Sequence, residues 1–306
     1  MSRPLRLFAS QAADRARAVE LLQAGALVAL PTETVYGLAG RCDRPQTVAR
    51  VYDVKSRPLG RALPLLVASF DEGERYWKRG AWSATAQALS HAFWPGPLTI
   101  IAPAAAHVSE ALTSDGTIAL RCPDQPDTRA ILQALGVPVV CPSANRSEDP
   151  SPTSAEAVER GLGASVDALV ISEYPLGGME STIVRLGDGQ VEILRPGALA
   201  SAEIGAVLAT LADPPTLIAP KLGPSVGASA SDVTGVVYVG PSADAPADAT
   251  HFEVASVDEA LRRVHAFLAT IPRTERATMG FELAPSLGED PRTDALIRVL
   301  SRYLGR

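Results

Sequence analysis

The sequence predicts an α/β fold with a mixed sheet, followed by a smaller α/β unit, on three observations. Short apolar runs that read as strands recur between segments with apolar residues at helical spacing, such as Ala18, Leu21 and Leu22. These strands and helices do not alternate strictly, which points to a mixed sheet rather than a regular doubly wound one. The tract 212–234 is rich in Pro, Gly, Ala and Ser with little periodicity, so it reads as a linker between units at 1–211 and 235–306. For 306 residues, two domains match the usual size of roughly 100–200 residues each.

In chain order, Asp14–Gln23 reads as a helix closed by Gly25, and Ala26–Leu30 as a buried strand. A helix over Gln46–Val54 and a strand over Leu63–Val67 follow. Helix Ala84–Phe93 breaks at Pro95-Gly-Pro97, before strands Leu98–Ile101 and Thr117–Arg121. Thr128–Leu135 is helical and Val137–Cys141 extended. Thr153–Gly161 is a helix with Thr153 as its cap and Glu156 completing a capping box. Strand Ala168–Ile171 precedes a hairpin, Thr182–Leu186 and Val191–Leu194, joined by Gly187-Asp-Gly189. Ser201 caps a helix to Leu211. Beyond the linker, strand Val236–Val239, helix Val257–Ala269, strand Ala277–Leu283 and helix Arg292–Leu304 form a βαβα unit of about the size at which a domain can just fold alone.

Composition excludes several classes. With 46% hydrophobic and 20% charged residues the chain is an ordinary globular one, and its net charge of −6 argues against gripping nucleic acid through overall charge. Cys42, Cys122 and Cys141 lack metal-ligand and redox spacing and read as small buried hydrophobes. Met1–Ser10 has no signal-peptide core and no run spans a bilayer, so the expectation is a cytoplasmic protein without a membrane segment. His91, His107, His251 and His265 have no cysteines or carboxylates at ligand spacing, so no protein-held metal is expected. The G-x-x-x-x-G-K-[ST], H-E-x-x-H, G-x-G-x-x-G and G-x-S-x-G motifs are absent.

The strand Ala26–Leu30 runs into Pro31-Thr-Glu-Thr-Val-Tyr-Gly-Leu38, and Lys55-Ser-Arg-Pro58 follows. Hydroxyls at a strand's carboxyl end, with cations near by, suit an anionic substrate such as a phosphate or carboxylate. Either half alone also reads as a surface turn or a solvated basic pair. Only three of 28 basic residues are lysines, Lys55, Lys78 and Lys221, so an ammonium at Lys55 hints at a need for a compact point charge. Glu33 and Glu180 read as local hydrogen-bond acceptors, and Trp94 as core.

Those strings, with Phe93-Trp-Pro-Gly-Pro-Leu-Thr99, Pro142-Ser-Ala-Asn145, Glu180-Ser-Thr182 and Leu194-Arg-Pro-Gly197, occur in the order seen in the Sua5/YrdC family, and the chain resembles it from about residue 15 to about residue 200. The resemblance implies a YrdC-like twisted mixed sheet with a concave active-site cavity and a small C-terminal Rossmann-like domain of the longer, Sua5-like branch. It implies threonylcarbamoyl-AMP synthesis from ATP, bicarbonate and L-threonine, with release of pyrophosphate. The adenylate would pass to a threonylcarbamoyl transferase complex that modifies adenosine 37 of tRNA, and magnesium would enter with ATP.

By the same resemblance, Lys55 and Arg57 carry catalytic charge. Thr34, Arg121, Cys141 and Ser181 meet L-threonine, and Arg57, Arg61, Thr117, Ser143, Asn145, Ser151 and Arg195 meet ATP. An arginine fork at Arg121 suits a carboxylate. Without the resemblance, Arg121 also reads as a rim charge, and Ser143 and Asn145 as turn residues. The chain departs from the family at Arg61, at Leu66, where longer relatives often have histidine, and at Cys141, which replaces alanine. Ala228-Ser-Ala-Ser-Asp232 lacks the histidine and tyrosine of the usual linker segment. Two other readings stand beside the synthase: a non-catalytic relative binding tRNA or double-stranded RNA, and a carbamoyl-transfer enzyme with another acceptor.

Overall fold

A computed structural model describes residues 3–304 except 59–60, 81–83, 148, 175, 188, 220–234, 241–248, 272–275, 277–278, 285–286, 288–289 and 291. Within the first 218 residues lie strands β1 (Leu5–Phe8), β2 (Val28–Leu30), β3 (Gly37–Arg41), β4 (Leu65–Leu66), β5 (Leu98–Pro103) and β6 (Thr117–Arg121). They continue with β7 (Val139–Val140), β8 (Ala168–Ile171), β9 (Thr182–Gly187), β10 (Gln190–Arg195) and β11 (Thr216–Ile218). All join one mixed sheet in the order β1-β8-β2-β3-β7-β4-β6-β5-β9-β10-β11.

Helices α1 (Ala12–Gln23), α2 (Pro45–Lys55), α3 (Phe70–Glu74), α4 (Ala84–Phe93), α5 (Pro126–Leu135), α6 (Ala155–Leu162) and α7 (Ser201–Leu208) cover it. Their starts and stops follow from side chains. Pro45 opens α2. Gln125 accepts the Thr128 N–H to open α5, and Gly136, at φ 69°, closes it. One core, including Leu27, Leu38, Leu65, Ile100 and Leu120, lies on one sheet face. A second, including Leu22, Leu30, Ile131 and Val139, lies beneath α1 and α5. Trp94 is core as expected, stacked on Trp77 with its indole donating to Leu98 O at 2.6 Å.

The smaller sheet is parallel throughout, with β12 (Gly235–Gly240) between β13 (Thr250–Glu253) and β14 (Met279–Leu283). Helices α8 (Val257–Leu268) and α9 (Thr293–Tyr303) pack on it around Val237, Phe252, Val264 and Leu296. Among the described residues, no helix is long and apolar enough to cross a membrane.

Several local expectations are corrected. The cap of α6 is Ser154, which accepts the Ala157 N–H, not Thr153. The cap of α7 is Ala200, whose N–H is held by Glu203 at 2.7 Å, so Ser201 lies inside the helix. Strand β3 was not foreseen because two glycines weaken strand propensity. Both are demanded by packing, since a Cβ at Gly37 would strike Cys141 Sγ and one at Gly40 the Thr47 side chain. Strand β11 falls inside the stretch read as a linker and pairs with β10, so the large sheet extends past residue 211. The segment Ala228–Asp232 lies outside the described residues.

Candidate active site

A cavity of about 300 Å³ opens where the carboxyl ends of β2 and β6 meet the start of β9 and the end of β10. Its first wall is the turn after β2. Once the apolar strand stops at Pro31, Thr32 takes over the backbone pairing. Its hydroxyl donates to Val35 O at 2.6 Å, accepts the Val35 N–H, and sits 2.7 Å from the Thr34 hydroxyl. A later loop clamps the turn, Gly177 N–H to Glu33 O at 2.7 Å and Gly178 N–H to Thr34 O at 2.9 Å.

Arg121 ends β6 with its side chain 8% exposed. Its Nη2 meets Glu33 Oε1 at 2.6 Å, and its Nε donates to Gly96 O at 3.1 Å. Ser181 shares a 2.8 Å hydrogen bond with Thr99 and receives Arg195 Nη2 at 2.9 Å. Arg195 also holds Glu180 at 2.8 Å. Glu180 is buried, which raises a carboxyl's pKa, yet Arg195, His265, Arg302 and the Ser151 hydroxyl hold it well below the usual carboxylate range. Glu33 and Glu180 are thus guanidinium partners of distant residues rather than local acceptors.

Of the expected site residues, the cavity lining includes Thr34, Arg57, Arg121, Cys141, Ser143, Ser181 and Arg195, together with Leu66. Others stand apart. Thr117 shares a strand face with Ala119 and Arg121 and stands about 7 Å along the strand from Ala119, which lines the cavity, but its hydroxyl donates to Ser114 O at 2.8 Å. Arg61 is exposed, and its carbonyl accepts from Arg57 Nε and Tyr52 OH at 3.0 Å each. Asn145 is turned to Arg146 O and Asp149 O.

Lys55 lies behind the wall. Buried at the end of α2, its ammonium donates to the carbonyls of Ser143 and of Asn145, the latter at 2.7 Å, while Ser147 returns two bonds to Lys55 O. Burial first, then Arg57, brings its pKa down to about 7. Lys55 therefore ties the 143–147 loop to α2, and Ser56, at φ 50°, bears the left-handed turn that this needs. Lys55→Met should cost both turnover and roughly 1–3 kcal/mol of stability, because two buried carbonyls lose their donor. Wild-type melting and turnover would remove Lys55 from both roles.

Ser151 joins the two units instead of lining the cavity. Its N–H donates to His265 Nδ1 on α8 at 3.3 Å and its hydroxyl to Glu180 Oε1 at 2.6 Å. Tyr303 OH donates to Asp149 O at 3.0 Å, and Arg302, also on α9, lines the cavity 3.7 Å from Glu180. Arg302 is the site residue that sequence reasoning missed, since nothing in an amphipathic terminal helix marks it.

Burial pushes His265 down to about 4, against the pull of Glu180, with Arg302 and Arg195 adding to the fall and Tyr303 packed edge-on. The unfolded histidine titrates near 6.5 and so binds the proton first. Stability should fall as pH drops from about 6.5 to 4, and a pH series of melting points should show a flatter slope there in His265→Gln. The loss of Glu180's stabilisation begins only below about 4.5, which separates the two groups.

The family model for Sua5, YciO and YrdC proteins, described as "Telomere recombination", matches residues 20–197. A Bacillus subtilis protein named threonylcarbamoyl-AMP synthase is 37% identical over 196 residues, 63% of this chain and 56% of its own length. A Pyrococcus abyssi protein of the same name is 34% identical over 192 residues, 62% of this chain and 56% of its own. The chain thus spans little more than half the length of the curated relatives it matches. A double-alanine variant of Pyrococcus abyssi Sua5 superposes with a TM-score of 0.81 at 25% identity, covering 98% of this chain and 97% of that one. Pyrococcus abyssi Sua5 complexed with L-threonine superposes at 0.77 and 24% identity, covering 99% and 96%, a likeness of fold. With more than half its length matched by the family model, the chain belongs to the Sua5/YciO/YrdC family.

Proposed function

We propose that the chain is a threonylcarbamoyl-AMP synthase, joining L-threonine, bicarbonate and ATP. The observation that carries this reading is one cavity with two kinds of anion-binding group, which meet where Arg195 donates to the Ser181 hydroxyl at 2.9 Å. A buried arginine beside hydroxyls, Arg121 with Thr34 and Ser181, suits an amino-acid carboxylate. Half-buried guanidiniums at the cavity wall, those of Arg57 and Arg195, suit phosphates. Relatives named for this activity support it.

The threonine amine attacks the bicarbonate carbon and water leaves. The resulting carbamate oxygen displaces pyrophosphate from the α-phosphorus of ATP. Neither step needs a covalent enzyme nucleophile, so orientation and neutralised charge supply the rate. Arg121 fixes the carboxylate, with Thr34 and Ser181 beside it. Buried Cys141 and Leu66 keep that end dry, which protects a hydrolysable carbamate. Arg57, Arg195 and Ser143 face the nucleotide. Magnesium arrives on the phosphates of ATP. Glu33 and Glu180 are committed to guanidiniums, and among the described residues no group of three or more His, Cys, Asp or Glu side chains could hold a metal. The adenylate then serves a transferase complex acting on tRNA.

Pyrophosphate release from ATP and bicarbonate, measured with and without L-threonine and with mass detection of the adenylate, tests the reading. Threonine-dependent release with the product mass supports it. Release with another amine favours a different carbamoyl acceptor, and ATP-independent, salt-sensitive RNA binding without release favours the RNA-binding relative.

A further inference from the structure

We infer that the C-terminal unit completes the anion site: Arg302 on α9 binds the β- and γ-phosphates of ATP, or pyrophosphate, together with Arg195 and Arg57. The inference rests on reading the cavity as an ATP site and adds to it a residue from outside the catalytic sheet.

The charge balance is the first argument. Four guanidiniums line the cavity, those of Arg57, Arg121, Arg195 and Arg302, and the described carboxylates that meet them are Glu33 and Glu180. Two positive charges are left unmatched. Arg298, one turn before Arg302 on the same face of α9, is half-buried against Glu180 and Arg195 and adds a third. Burial first, and then repulsion from neighbouring guanidiniums, lowers the pKa of both Arg57 and Arg298, with Arg61, Arg302 and Arg195 acting on Arg57, and Arg195 and Arg302 on Arg298. Cations gathered so closely stay together at least cost when an anion with several oxygens sits among them. A monocarboxylate would neutralise one of them; a pyrophosphate unit carries charge for both unmatched guanidiniums in the cavity, with Arg298 adding positive potential from behind.

Geometry is the second argument. Arg195 already holds Glu180 at hydrogen-bond distance, whereas Arg302 stands 3.7 Å from the same oxygen with 48% of its side chain exposed. Arg302 is therefore loosely held and can turn its planar fork to a second anion without breaking a short bond. Its backbone is fixed by neighbours that dock the unit, Tyr303 to Asp149 and His265 to Ser151.

Titration calorimetry on the full chain tests this with ATP, inorganic pyrophosphate and AMP. Arg302→Ala should weaken ATP and pyrophosphate by about 10-fold and AMP by less than about 2-fold, with Arg302→Lys between wild type and alanine. The melting point without ligand should hold, since the side chain is half exposed. If the alanine variant unfolds, Arg302→Gln, which keeps the packing stem, should show the same pattern. Equal losses for AMP and pyrophosphate would mean that Arg302 only docks the domain, and unchanged pyrophosphate affinity would mean that it touches no phosphate; either result overturns the inference. A wild-type chain that binds neither ATP nor pyrophosphate would instead overturn the underlying reading of the cavity.

Discussion

Arg195→Ala is expected to lower turnover by roughly 100-fold or more and stability by about 3 kcal/mol. The guanidinium makes four contacts at once: Glu180 Oε2 at 2.8 Å, the Ser181 carbonyl at 3.0 and 2.8 Å, and the Ser181 hydroxyl at 2.9 Å. It therefore sets the position of a cavity hydroxyl and neutralises a carboxylate whose side chain is only 9% exposed. Removing it leaves Glu180 ionised and buried, with the Ser151 hydroxyl and a distant Arg302 as partners. Glu180's depressed pKa contributes stability above about pH 4.5 that is lost as acid approaches its folded pKa. Arg195→Ala raises that folded pKa toward the ordinary value, so the acid-induced loss shrinks because much of the stability is already gone at neutral pH. Denaturant titration and pyrophosphate release read the two effects separately. Adding Glu180→Ala should recover part of the stability and none of the turnover, as removal of both members of a buried pair generally does. Near-normal turnover in Arg195→Ala would remove Arg195 from the site.

Much of this site was legible because the chain places it at strand ends. Arg121 and Arg195 end their strands and Ser181 immediately precedes one, and runs such as Val28–Leu30 and Ile118–Leu120 announce themselves by their apolar residues. Side-chain direction was not legible. Lys55 reads as a free cation beside a phosphate site, yet it folds inward because the 143–147 loop offers it two carbonyls that no local pattern foretells. Nor were the partners of Asn145 and Ser151 legible: Asn145 is turned to the carbonyls of its own loop, and Ser151 to Glu180 and His265. Glu33 and Glu180 were misjudged because their partners are 88 and 15 residues away. Strand β3 was hidden by glycines that only close packing explains, and β11 and β13 by short runs among turn-forming residues. The expected residue roles came from resemblance, which could not point to Arg302, beyond the stretch the family model matches.

Gly178→Ala should undock the C-terminal unit and reduce turnover by roughly the 10-fold or more expected when a single transition-state charge contact is lost. Gly178 sits at φ 76°, and a Cβ there would collide with the backbone carbonyl of Arg262 on α8. Backbone faces backbone, so no side chain can swing away. The next residue, Met179, is buried in the C-terminal core, and the Gly178 N–H clamps the Thr34 turn, so a shift here reaches both the joint and the cavity. Left-handed strain alone costs about 1–2 kcal/mol, and Gly116 provides the control. It has φ 70° with nothing within 4 Å of a built Cβ, so Gly116→Ala carries the strain without the collision. Gly116→Ala should melt slightly lower in one transition with turnover intact. Gly178→Ala should unfold in two transitions, with faster hydrogen exchange at Asp149–Ser151 and Tyr303 as the Tyr303 and His265 bonds open. If the two variants behave alike, strain and not contact governs the position, and the second unit is not seated through Gly178.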